Sequence, residues 1–596
     1  MTRAPSGPRR GGAIAWRAVT LGCAVAMVLC VCGGAWVGFR ACLAADELRQ
    51  AADAVAGVVR SPGDDPGVAI DAASEHARAA SAQMGDPVWS LAEGVPWLGA
   101  HLRAIRGVGA AAVGLTDAGS REATTGLLTA LRSGELAPVD GQFDAAAVVR
   151  AADAARTLGT KLADAALLIP QDSRILVPAA GEALSDGARI LRDASSALVA
   201  GADLVPQMLG VDGPRAYLLL FTTNAEWRSR SGVVGATALI RAQDGRVSLT
   251  AQAASTAFPA YDEPVIELDD DVRALFGTRP ARWIENVTQF PDFAVGAAAA
   301  AEMWERRFGD AVDGVVLIDP VSVSYLLAAT GPLDLGDGET LTADTAVALL
   351  LHDVYVRLPV DRQDAFFADA ARRIFDAVAS GEADSALLAR ALDRSASEQR
   401  LMIWRADPEE QALLAGTSVA GGLPRSDSTT TRIGVYLNDG TGSKIDYFLR
   451  ATAGARWCAD KAGSALILRI EISNRVPQDS SSLPAYVTGG GAFGVPEGHA
   501  RTIAYVYLPP GFTLVDADRP VGSGSDAERS VVRWPSEVEP GASESVVLTL
   551  RGPRTPLAAV ELTPVIEPTP AEPLICPPVA SVGSLRTVTP QKGTER

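Results

Sequence analysis

At 596 residues, 48% hydrophobic and 21% charged, the chain is ordinary for a globular protein and long enough for several domains with full cores. Its net charge is −18, and because residues 1–17 hold Arg3, Arg9, Arg10 and Arg17 without an acid, the remainder carries −22. Such a surface repels nucleic acid and anionic lipid and excludes a polyanion-binding body, while leaving room for a local Arg-lined pocket.

Residues 18–39 (AVTLGCAVAMVLCVCGGAWVGF) contain no charged side chain. Twenty-two helical residues span about 33 Å, enough for the hydrocarbon core of a bilayer. The preceding arginines place residues 1–17 in the cytoplasm, so the stretch is expected to be a transmembrane signal anchor with the bulk of the chain outside the membrane. Residues 44–206 are Ala-rich. Leu48, Ala52, Val55 and Val59 share a helix face, and further helices are expected over 101–118, 121–132, 143–168 and 180–204. No heptad persists, so the expectation is a bundle of antiparallel helices acting as a stalk.

The character changes at Arg215. The apolar run 217–221 suits a buried strand, and Gln243-Asp244-Gly245 between two apolar segments signals a hairpin. A second buried strand is expected at 315–318. Asp319-Pro320 then opens a helix as N-cap and first helical residue, and Thr330-Gly331-Pro332 stops it. Residues 342–416 follow a helical pattern in which Phe366, Phe367, Ile374 and Val378 form a core-facing stripe. The span 212–416 is expected to be a central α/β domain, and 431–562, with recurring short strands and turns, a β-sandwich. From Thr563 to the end the chain is Pro-rich and polar, which suggests a flexible tail. The fold class is therefore multidomain α+β: anchor, helical bundle, α/β domain and sandwich.

Cys23, Cys30, Cys32 and Cys42 lie in or beside the apolar segment, while Cys458 and Cys576 are far downstream and are candidates for a disulfide pinning the tail to the sandwich. Four scattered histidines and these spacings fit no zinc site. No nucleophile elbow, zinc-protease or phosphate-loop motif is present. Residues 440–444 (GTGSK) lie between two β segments and suit a hairpin turn. Asp269, Asp270 and Asp271 suit a solvated loop or helix start. Asp292 suits a helix cap, with a metal-ligand role as the weaker reading. The most informative stretch is 224–235. Asn224, Glu226, Arg228 and Arg230 alternate and would share one face of an extended chain, at the strand edge where open α/β sheets place ligands. Two guanidiniums there could clamp a phosphate or carboxylate, and Gly232 and Gly235 would permit close approach. The plainer account is a structural turn in which Glu226 pairs with an Arg.

DGPRAYLLLFTTNAEWRSRSGVVGA (212–236), TQFPDF (288–293), MWERRFGDAVDGVVLIDPVSVSYLLAATGP (303–332) and LNDGTGSKIDYFL (437–449) resemble the bacterial domain-of-unknown-function family 4012. That family shows Asn-Asn-Ala-Glu-Leu-Arg followed by Gly-Gly; Asn224, Glu226, Arg228 and Gly232 keep the pattern, and Thr223, Trp227 and Ser231 depart from it. The resemblance implies a membrane-anchored actinobacterial cell-envelope protein of no assigned activity. A more distant likeness, of architecture only, is to the LytR–CpsA–Psr ligases, which act on lipid-linked pyrophosphates.

Two functions follow from these residues, and whether the chain is an enzyme stays open between them. One is a non-enzymatic extracytoplasmic protein that binds a wall polymer or surface protein and needs no cofactor. The alternative is a glycopolymer phosphotransferase with Arg228 and Arg230 on the pyrophosphate and a divalent cation on nearby carboxylates. A deep apolar groove ending at Arg228 would favour the enzyme; a charge-paired turn there would remove its main support.

Overall fold

The computed structural model describes residues 11–60, 65–96, 98–170, 178–336, 338–460, 463–477, 483–567 and 574–576; of residues 11–31 only the backbone is described. The chain divides into two compact units, Met1–Ser133 with Ala146–Val205, and Gly134–Ala145 with Pro206–Arg596.

The first unit is helical. Its elements include α1 (Gly11–Arg60), α2 (Pro66–Met84), α3 (Pro87–Ala92), α4 (Gly99–Leu115) and α5 (Ala118–Ser133), and most of α6 (Ala145–Leu168) and α7 (Pro178–Met208). Asp-Pro pairs punctuate it. Asp65 and Asp86 accept hydrogen bonds from Gly67 N and Val88 N, and Pro66 and Pro87 occupy first-turn positions where no amide donor is needed. Small residues let the helices close in: a Cβ on Gly109 would lie 2.1 Å from Met84 Cε. Among the described residues no helix is long and apolar enough to cross a membrane. Most of the charge-free stretch 18–39 lies where side chains are outside the described residues, as do residues 1–10 entirely.

The second unit carries two β layers of different kinds. A five-stranded mixed sheet has the order β3-β2-β1-β4-β7, from β1 (Arg215–Trp227), β2 (Gly232–Gln243), β3 (Arg246–Ala254), β4 (Gly314–Ile318) and β7 (Leu401–Arg405). Only β1 and β4 run parallel; the other pairs are antiparallel. The β2–β3 hairpin turns at Asp244 and Gly245, both at positive φ, as a tight two-residue turn requires. β7 lies within the span expected to be helical. Between β4 and β7, β5 (Leu333–Gly336) and β6 (Glu339–Leu341) form a small separate hairpin. The helices of this part include α8 (Asp270–Phe276), α9 (Phe293–Phe308), α10 (Pro320–Thr330), the short α11 (Ala346–Ala348) and α12 (Val354–Arg357) flanking a π-helical turn at Leu349–Asp353, α13 (Val360–Ala379) and α14 (Ser385–Ser397).

The sandwich packs the sheet β12-β15-β10-β9 on the sheet β13-β14-β11-β8-β16. These strands are β8 (Thr430–Asp439), β9 (Leu449–Asp460), β10 (Gly463–Asn474), β11 (Ala500–Tyr507), β12 (Thr513–Ala517), β13 (Gly522–Asp526), β14 (Arg529–Val538), β15 (Ser543–Arg551) and β16 (Leu557–Leu562). Two expectations change here. Residues 440–444 are not a hairpin turn, because β8 pairs with β11 and β16 while β9 pairs with β10 in the opposite sheet. Nor does a tail begin at Thr563: Thr563, Val565 and Ile566 are buried, and the chain is described as far as residue 567. Residues 568–573 and 577–596 of the expected tail lie outside the described residues. Cys458 on β9 and Cys576 form a disulfide, with Cα atoms 5.5 Å apart.

Candidate functional site

The carboxyl end of β1 organises this unit. Its apolar run occupies the middle of the sheet, with Leu218 and Leu220 fully buried. Opposite it, Phe221 pairs with Ala236 and Thr222 with Val234, so Gly235 is an extra residue on β2, a β-bulge. Beyond the bulge β1 leaves the α/β layer. Trp227, its last residue, is fully buried in the core of the sandwich among residues such as Ile433, Leu437 and Leu468. A turn over residues 228–231 then returns the chain to β2. The return is tight: a Cβ on Gly232 would stand 1.9 Å from Thr223 O. Ser231 takes a left-handed conformation, φ 70°. Glycine adopts that region without steric cost, and here the Ser231 hydroxyl is tied in by Asn224, Thr222 and Asp319.

The four alternating residues do not present one shared face. The irregular end of β1 between Thr223 and Trp227 and the turn that follows send them to three places, each inside the protein. Asn224 donates from Nδ2 to Asp319 (3.0 Å) and to the Pro564 carbonyl (3.0 Å). Asp319 also caps α10 by accepting from Ser322 N at 2.8 Å, and it pairs with the buried Arg400 at 2.8 Å. Arg400 in turn donates to the Val565 carbonyl at 2.6 Å. The segment after β16 is thus held by side chains of the α/β layer.

Glu226 and Arg228 form the second group. Arg228 is 6% exposed. It bonds Glu226 at 2.7 Å, Asn286 Oδ1 at 3.1 Å and the Trp227 carbonyl at 2.9 Å, and Asp439 lies 3.9 Å away. Glu226 also receives Lys444 Nζ at 2.6 Å. Asp439 folds the loop after β8 by accepting from Thr441 N and Gly442 N, and Asp446 accepts from Trp227 N at 2.6 Å. Three carboxyls and two cations share this dry space, and their titration diverges. Burial opposes the charge on Glu226, but Lys444 and Arg228 outweigh it and hold its carboxyl at about 2. Burial and the charge of Glu226 push Asp439 up to about 6, against the pull of Arg228 and the two amides. Asp446 is pushed well above the usual carboxylate range by burial and by Asp439.

Arg230 is the third group, with no exposed surface. It donates to the carbonyls of Pro291 (2.6 Å) and Gly422 (3.0 Å), bonds Gln399, pairs with Glu561 on β16 at 3.2 Å and lies 4.9 Å from the centre of the Tyr436 ring. Arg228 and Arg230 therefore fasten the α/β layer to the sandwich rather than line an open clamp.

Asp292 caps α9, accepting from Ala294 N at 3.1 Å. Among the described residues no group of three or more His, Cys, Asp or Glu is placed to hold a metal ion. The sequence reasoning missed Lys444, Asp446, Asp439, Arg400 and Glu561 as partners of the 224–235 turn. Lys444, Asp439 and Asp446 did lie in one of the segments that carried the family resemblance, which was the available signal.

On the other side of β1 is a pocket with about 560 Å³ of empty space, the part open to solvent included. The β-bulge, α10, the π-helical turn and α13 enclose it. It reaches Thr222, Thr223 and Asp319 at the carboxyl ends of the parallel strands β1 and β4, and Arg228 does not line it.

Residues 212–355 match the family model described as protein of unknown function (DUF4012). No curated protein matches the chain. The DUF4012 segment includes the whole 224–235 turn, Asp319 and Tyr355. It ends before α13, Arg400 and the sandwich, so much of what completes the turn and the pocket comes from outside it.

Proposed function

We propose that this is a membrane-anchored extracytoplasmic protein of the cell envelope, held by residues 18–39, whose α/β layer and sandwich form a non-catalytic head that binds a wall polymer or another surface protein. The observation that carries this reading is the disulfide between Cys458 and Cys576, which suits an oxidising compartment outside the cytoplasm. The charge-free stretch 18–39 behind a basic N-terminus supports the same orientation. Binding is favoured over phosphotransfer because Arg228 and Arg230 are buried and paired within the protein, and an Arg engaged in this way is not available to a pyrophosphate. Protease treatment of intact spheroplasts producing the full chain tests the orientation, and co-sedimentation of the full chain with purified cell wall tests the binding. The expected result is digestion of the body from outside and retention on the wall or on a cross-linked surface protein. A body protected from external protease would overturn the orientation. A body that is digested yet captured by neither wall nor surface protein would overturn the binding role.

A further inference from the structure

The pocket beside β1 has walls and an end of different chemistry. Phe221, Val323, Leu350, Phe367 and Ile374 make the walls, and Thr222, Thr223, Asp319 and Tyr355 gather at one end. Two backbone irregularities shape it. The bulge at Gly235 breaks the β1–β2 register beside Phe221, and the π-helical turn Leu349–Asp353 carries Leu350 into the wall. Both devices interrupt regular structure and recur at functional sites.

The polar end leaves one group unspent. The Thr222 hydroxyl is engaged with Ser231 and the Ile318 carbonyl, and the Asp319 carboxylate with Arg400, Asn224, Ser231 and Ser322 N. The Thr223 hydroxyl, in a residue only 7% exposed, stands near the Tyr355 phenol but makes no hydrogen bond of normal geometry. A buried hydroxyl with no better partner than a poorly aligned phenol costs stability unless something supplies a well-placed one. No Arg, Lys or His lines the pocket, and the one acid there is neutralised by Arg400. The site offers hydrogen bonding and apolar surface without charge.

We propose that this pocket binds a neutral amphiphile, an aliphatic chain with an uncharged alcohol or ester head that hydrogen-bonds Thr223. The chain lies between Phe221, Val323 and the α13 side chains, and each methylene buried there strengthens binding roughly fourfold until the space is full. A phosphate or carboxylate head is disfavoured because it would lose its hydration while the neighbouring cations, Arg400 and Lys444, are already paired with Asp319 and Glu226.

The test is photoaffinity labelling of the full chain in lipid nanodiscs with a diazirine derivative of 1-decanol, followed by peptide mapping. Labelling is expected on peptides of β1 and α13, competed by 1-decanol and not by decyl phosphate. Two variants isolate the site. A Cβ on Gly235 would meet nothing closer than the Phe221 carbonyl at 4.0 Å, and the residue is exposed at the pocket rim and not in the left-handed region, so Gly235→Leu obstructs the mouth without backbone strain. It is expected to reduce labelling at least tenfold. Thr223→Val keeps the side-chain shape, removes the hydroxyl and is expected to weaken competition by 1-decanol several-fold. Circular dichroism of both variants verifies their folding. Labelling confined to residues 18–39, labelling unchanged in Gly235→Leu, or equal competition by decyl phosphate would each overturn the proposal.

Discussion

The two sides of the end of β1 use their residues in opposite ways. On the side facing the sandwich, Glu226, Arg228 and Arg230 are packed into a joint in which every formal charge meets an internal partner. On the side facing α13, a pocket of apolar walls ends in a hydroxyl without a satisfactory partner. The charged residues are conspicuous in the sequence, and the fold spends them on holding two layers together. The capacity to bind something else lies where the sequence carries no charge. Buried ion pairs of this kind contribute little net stability compared with apolar packing, but removing one partner is costly, so they specify one docking geometry.

The largest expected effect tests the joint directly. Arg230→Ala leaves the carbonyls of Pro291 and Gly422 without this donor and the Glu561 carboxylate without its cation, with only the Tyr436 hydroxyl still donating to it. It should destabilise the protein by about 3–5 kcal/mol. Denaturant unfolding followed by fluorescence should also show the α/β layer and the sandwich separating into two transitions. A loss below about 1 kcal/mol, within the range of an exposed pair, would mean that Arg230 does not hold the joint.

Two glycines in the same turn separate the sides next. An added methyl at Gly232 meets the Thr223 carbonyl at 1.9 Å, whereas at Gly235 it enters open space. Gly232→Ala should cost about 1–3 kcal/mol through backbone displacement. Gly235→Ala should change stability by no more than about 0.5 kcal/mol. Equal costs in thermal unfolding would erase the distinction between a closed joint and an open pocket.

The joint should also respond to pH. The Asp439 carboxyl titrates at about 6 in the folded protein against an ordinary 3.8, so folding favours its protonated form. Its contribution is fully present below the ordinary value and is lost as pH rises through 6. Glu226 has the opposite sign: at about 2 against 4.5, its contribution is present above 4.5 and lost as pH falls toward 2. Together they place the best pH for this pair where the two contributions overlap, at about 3.8–4.5, with stability falling on either side. Asp439→Asn should therefore flatten the loss of unfolding free energy between pH 5 and pH 8 by about 1–2 kcal/mol. Parallel pH profiles for variant and wild type would remove Asp439 from the account.

Much of the local structure was legible because its causes are local. Asp-Pro pairs cap helices wherever they occur, at Asp65, Asp86, Asp319 and Asp407. Asp244-Gly245 makes the hairpin it announces. β7 was hidden because LMIWR is short, does not alternate and sits between helical patterns; only pairing with β4 makes it a strand. Residues 440–444 misled for a related reason: a polar, Gly-rich turn looks the same whether it closes a hairpin or carries the chain from one sheet to the other. The contacts of Glu226 with Lys444 and of Arg230 with Glu561 cross 218 and 331 residues, and no local pattern encodes them. The pocket was illegible for another reason. Phe367 and Ile374 form the same helical stripe whether the space they face is filled or empty.

The smallest expected effect separates the two sides most finely. Thr223 sits on β1 one residue before Asn224, so the two share a strand and differ only in what they face. Removing the Asn224 amide would strip donors from Asp319 and the Pro564 carbonyl. Removing the Thr223 hydroxyl strips nothing that is well bonded. Replacing a buried, poorly partnered hydroxyl with a methyl of the same shape relieves a desolvation cost, so Thr223→Val should be neutral or stabilising by up to about 1 kcal/mol. Thermal unfolding of the ligand-free protein measures this. A clear loss of stability would mean that the hydroxyl already serves the fold and is not held in reserve, and the contrast between joint and pocket would then fail at the residue where the two meet.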